Sequence, residues 1–146
     1  MKHQFFDYHN DEITDIRTFI RQNILNIDVI TPRLLFVMGF KPNLCGTTYL
    51  REAIAYCFAL PIYPKVSFCK EVYPAVAHKH NTTASRVERN IRTALQHCYD
   101  SGSIFKLNLI CNSEVISLQY PPTTSEFVMQ VVRWLQIELS VNAVGS

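Results

Sequence analysis

The segment from Ala84 to Tyr99 separates into one apolar side and one basic side when wound at about 100° per residue. Val87, Ile91, Ala94, Leu95 and Cys98 fall in one sector, and Ser85, Glu88, Arg89, Arg92 and Gln96 gather opposite them. A helix divided in this way docks on a core and keeps a polar face outside. The chemistry of that face suits DNA: arginine forks onto guanine edges or phosphates, a carboxylate accepts from cytosine, and an amide suits adenine. Thr83 is placed to cap this helix and Gly102 to end it. The competing interpretation is a solvated face, the ordinary place of charge on a helix.

The flanking sequence reads as further helices. Asn10 or Asp11 can cap a first one, in which Ile13, Ile16, Ile20 and Ile24 recur at helical spacing. Thr31-Pro32 reads as the start of a second, with Leu34, Leu35 and Met38 inward and Gly39 at its end. A third is predicted from Thr48 to Leu60, with Leu50, Ile54 and Cys57 or Phe58 inside, Arg51 and Glu52 toward water or a neighbour, and Pro61 as the stop. Pro64 to His80 supplies the first helix of a helix-turn-helix, kinked or restarted at Pro74, because an interior proline loses a hydrogen bond. Ile104 to Ile110 reads as a short helix, and Glu114 to Tyr120 as an extended or hairpin-like passage. Thr123 and Glu126 have capping-box spacing, opening a last helix with Phe127, Val131, Trp134 or Leu135, and Leu139 inside. The predicted class is all-α: a compact multi-helix domain containing a helix-turn-helix, with a short extended segment near residues 114–120.

Composition narrows the functional classes. At 146 residues and 48% hydrophobic content, one domain with a real core is the default. No apolar run approaches the ~20 residues of a membrane span, and the start lacks the layout of a secretory signal, so a cytoplasmic protein is expected. Cys45, Cys57, Cys69, Cys98 and Cys111 form no C-x-x-C pair and read as buried small hydrophobes in a reduced compartment; with the histidines they give no zinc-like spacing, so neither metal nor cofactor is expected. No G-x-S-x-G, P-loop or H-E-x-x-H is present, and His97 beside Cys98 points about 100° away from it, so an enzyme is not expected. The net charge is only +2, but Lys65, Lys70, Lys79, Arg86, Arg89, Arg92 and Lys106 outnumber Glu71, Glu88 and Asp100 in the same stretch. Positive charge is therefore concentrated where phosphate attraction is needed.

Four stretches in order carry a family resemblance: Tyr49-Leu-Arg-Glu-Ala-Ile54, Val72-Tyr-Pro-Ala-Val-Ala77, Asn81-Thr-Thr-Ala-Ser-Arg-Val-Glu-Arg89 followed by Ile91-Arg92, and Pro122-Thr-Thr-Ser-Glu-Phe127. Together, over Ile30 to Leu139, they resemble the C-terminal DNA-binding domain of the stage-zero sporulation response regulator A. The resemblance implies an all-helical domain that binds a short DNA box, usually as tandem copies on repeated boxes. In a helix-turn-helix the early residues of the second helix enter the major groove, which places Ser85, Arg86, Glu88, Arg89 and Arg92 for contact. Arg89 matches an arginine of the family's reading helix and is expected to read a base. Arg86 lies about 100° from the stripe centre, which favours phosphate. Glu88 either accepts from a cytosine or pairs with Arg92, which itself serves base or phosphate. Thr83 is first a cap, with phosphate contact secondary, and Lys79 and His80 are expected to touch the DNA backbone.

The departures from the family matter as well. The full regulator joins a receiver domain to this one, and the stretch ahead of the match is far shorter than the ~100 residues or more a receiver needs, so control by phosphorylation is expected to be missing. Cys45 stands before Gly46 where the family usually has a basic residue, and the approach to Pro122, Leu118-Gln-Tyr-Pro121, is likewise not basic. Two functions follow as expectations. One is a sequence-specific regulator on double-stranded DNA, working as a homodimer or tandem dimer. The other is a protein-interaction module that keeps the fold and modulates a full-length regulator. The expected organisation is a helical extension at residues 1–29, the DNA-binding domain at 30–140 and a flexible tail at 141–146. Because the resemblance starts after it, the extension is expected to be dispensable for folding.

Overall fold

The buried isoleucines of the first helix decide where it lies. In the computed structural model, which describes residues 2–23, 26–60 and 65–145 and side chains only within 11–138, α1 (Lys2–Gln22) sinks Ile13, Ile16 and Ile20 into the core. Asn10 and Asp11 lie inside this helix rather than capping it, since neither proline nor glycine interrupts the preceding residues. Ile24, Pro61, Pro64 and the side chain of Leu139 lie outside the described residues.

Two further helices begin earlier than their sequence signals suggest. α2 (Ile27–Val37) starts after Asn26, whose carbonyl accepts from Val29 and Ile30, and carries Pro32 inside it. Thr31 is therefore a buried helical residue and not a cap; burial of Ile30 beside Leu34 and Leu35 holds the first turn despite the bond lost at Pro32. α3 (Cys45–Phe58) starts after Leu44 and buries Leu50, Ile54 and Cys57, leaving Phe58 half-buried.

Of the two alternatives at Pro74, the α-helix restarts there, out of a π-helical turn and not out of a loop. A π-helical turn, Phe68–Val72, runs directly into α4 (Tyr73–Lys79), with the Tyr73 N–H donating to the Phe68 carbonyl. The widened turn leaves Pro74 in the first turn of α4, where its missing N–H costs nothing. Ser67 opens the element reciprocally: its hydroxyl accepts from Lys70 N at 3.1 Å while its own N–H donates to Glu71 Oε2 at 2.8 Å.

The long helix α5 (Ala84–Ser101) ends at Gly102, whose φ of 81° is left-handed. A 3-10 turn, Ser103–Phe105, leads into α6 (Lys106–Cys111). Residues 114–120 form no strand, and there is none among the described residues. Asn108 takes the place of a strand partner: its amide donates to the Ile116 carbonyl at 3.0 Å and accepts from the Ile116 N–H at 2.7 Å. Tyr99 adds a hydroxyl donor to Ser117 O at 3.1 Å. With the Ile116 amide and carbonyl and the Ser117 carbonyl taken up by these side chains, those groups are not available to a hairpin ladder. α7 (Thr124–Gly145) follows, its first turn fixed by Thr123 Oγ1 accepting from Glu126 N at 3.2 Å; it runs on through residues 141–145.

α3 lies at the centre, packed on α2, α5 and α7, while α4 packs on α5 and α1 on α2 and α6. The crossing of α3 and α5 is set by Gly46. A Cβ at that position would collide with the Asn90 carbonyl oxygen and approach Ala94 Cβ to 3.1 Å, so only glycine allows this close approach.

Candidate nucleic-acid interface

The turn between α4 and α5 is built from a left-handed asparagine. Asn81 has φ 53°, the Thr82 N–H donates to the Ala77 carbonyl at 2.9 Å, and the Asn81 N–H donates to the His78 carbonyl at 3.4 Å. This is a Schellman closure with asparagine in the glycine position. Thr83, extended at φ −106° and ψ 151°, then starts α5, its hydroxyl accepting from Arg86 N at 3.2 Å. The two caps fix the angle between the helices within four residues.

α5 is anchored by one face and open on the other. Val87, Ile91, Leu95 and Cys98 are at most 3% exposed, whereas Ser85, Arg86, Arg89, Arg92 and Gln96 are all exposed. Ile91 marks the floor of the buried side, so the outward direction falls between Arg89 and Thr93. Arg86 lies about 60° from Arg89 around the helix and faces out squarely, while half-buried Glu88 is displaced to the flank. Glu88 Oε1 pairs with Arg92 Nη1 at 3.2 Å. Arg86 and Arg89 carry no ion pair among the described residues. Among the described residues, two guanidinium groups on the open face thus have no ion-pair partner.

The end of α4 is engaged differently from what its sequence suggests. Lys79 Nζ donates to Glu52 Oε2 at 2.8 Å, though the lysine remains 64% exposed. His80 is turned inward, edge-on to the Tyr49 ring at 5.3 Å, with its Nε2 3.7 Å from Glu52 Oε1 and lacking a hydrogen bond. Glu52 and Tyr49 of α3 therefore brace the turn. No spacing rule could have found this brace, because Glu52 and Lys79 are 27 residues apart. Tyr73 of α4 is buried, and that burial foremost raises its phenol above the ordinary range.

The cysteines are not all buried as their composition suggests: Cys45 and Cys69 are exposed, Cys111 is half-buried, and only Cys57 and Cys98 lie in the core. Burial pushes Cys57 up to about 11 and Cys111 up to about 12, and raises Cys98, which is buried while His97 is exposed. Among the described residues, no helix is long and apolar enough to cross a membrane.

The family described as sporulation initiation factor Spo0A C terminal matches residues 31–135. Its members are DNA-binding transcription-factor domains and not enzymes.

Proposed function

Because the chain belongs to the Spo0A C-terminal family, we infer that it is a sequence-specific regulator that lays α5 in the major groove of double-stranded DNA. Arg89 reads from the centre of the open face with Arg86 on a phosphate beside it, Ser85 and Arg92 contact from its flanks, and Glu88 orients Arg92. Thr83 caps the reading helix beside the phosphates, Lys79 supplies a backbone contact, and His80 supports it from within. Residues 30–140 form the DNA-binding unit, with residues 1–29 as a helical extension. Copies bind side by side on repeated boxes, in the cytoplasm, where the DNA is. One observation carries this reading: a helix held at four buried positions presents two unpaired arginines to solvent just after a capped turn.

Selection from a random duplex library tests it. A single enriched motif is expected, bound about 10³-fold or more tightly than a scrambled duplex at moderate salt. Enrichment of no motif would overturn the reading.

Lys79→Ala is expected to weaken binding nearly uniformly across sequences and to flatten its salt dependence. A fully committed phosphate contact adds about 0.9 to the slope of log affinity against log salt. Since Lys79 already faces Glu52, the change in slope should fall below that value. Fluorescence anisotropy over a salt series measures it, and a loss confined to one sequence would contradict the assignment.

A further inference from the structure

The helix α1 creates a groove that the family-matched region alone does not have. Between α1 and α2 lies an open cavity of 810 Å³. Phe19, Val29 and Phe36 contribute its apolar surface, and Phe36 and Val29 remain 61% and 39% exposed. Exposed apolar side chains grouped in one concavity, rather than scattered singly, mark an interaction surface.

The charge around the groove is one-sided. Asp11, Glu12 and Asp15, on consecutive turns of α1, form its rim. Glu12 also reaches Lys106 at 3.2 Å, whereas no ion pair is present at Asp11 or Asp15 among the described residues. Among the described residues the one cation lining the groove is Arg33, stacked over the Phe19 ring at 5.0 Å. A long concavity between two helices, apolar in its floor and acidic along one edge, has the complement of an amphipathic helix with a basic flank.

We propose that the α1–α2 groove is the docking site for a cationic amphipathic helix of a partner protein. Its apolar anchors seat on Val29 and Phe36, and its lysines or arginines face Asp11 and Asp15. The walls are helices outside the helix-turn-helix, so the partner and the duplex occupy separate surfaces. A second copy is the poorer occupant through α5, whose unpaired cations Arg86 and Arg89 lie on a helix with its apolar side already buried in its own core.

The test uses the full chain, labelled with nitrogen-15, and a synthetic helix of about 16 residues with leucines at i, i+3, i+4 and i+7 and lysines on the flanks. A companion peptide replaces the lysines by glutamates. Amide shifts are expected at residues 11–19 and 29–37 with the lysine peptide and none with the glutamate peptide. Phe36→Ser and Asp15→Lys, both at exposed positions, should each weaken the lysine peptide by about tenfold or more. Neither variant should change duplex binding, which separates this proposal from the DNA-binding reading. Equal binding of both peptides, shifts elsewhere, or indifference to Phe36→Ser would overturn it. Shifts at the same residues on raising protein concentration alone would make the occupant a second copy and overturn the partner assignment.

Discussion

A chain lacking residues 1–22 is expected to lose most of its stability. The deletion removes Ile13, Ile16 and Ile20, which are 4%, 2% and 1% exposed. Burial of an isoleucine side chain is worth about 1.5–3 kcal/mol, so the three together are worth about 4.5–9 kcal/mol, an upper estimate. That is comparable to the whole stability of an ordinary domain, about 5–15 kcal/mol. The deletion also removes Arg17, whose guanidinium donates to the carbonyls of Leu109 and Ile110 at the end of α6. Urea unfolding followed by the fluorescence of the single tryptophan, Trp134, measures the effect. An unchanged midpoint would show α1 to be an appendage, as its position outside the resemblance suggests; its burial argues the opposite.

Arg89→Ala is expected to cost about 1–3 kcal/mol of specific binding and to relax preference at one base pair, the signature of a lost bidentate contact to guanine. Its exposed position makes a folding defect an unsuitable explanation for such a loss, and an unchanged urea midpoint provides the control. Affinity for the selected box and for its single-base variants measures it. Equal weakening on every duplex would reassign Arg89 to the phosphates, and no weakening would remove it from the interface.

The parts of the fold legible in the sequence are those governed by local periodicity. The apolar stripe of α5, the Thr83 cap and the Gly102 stop all lie within one helix, and each appears where its residues place it. The Thr123–Glu126 pair at the start of α7 is equally local. What was not legible depends on distant partners. The early start of α3 reflects the approach of Gly46 to Asn90, and the bent course of residues 114–120 reflects the side chain of Asn108. Helix periodicity identified the exposed arginines but not their pairing state. Whether Glu88 would hold Arg92, and whether Glu52 would claim Lys79, depends on rotamers and on a contact between separate helices.

The crossing at Gly46 has a mechanical consequence. With no room for even a methyl group between α3 and the Asn90 carbonyl, α5 is seated directly on the domain's centre, and under the proposed reading its tilt against a duplex is inherited from there. Under the same reading, a change in the box bound is a matter of exchanging outward side chains while the seat of the helix stays fixed.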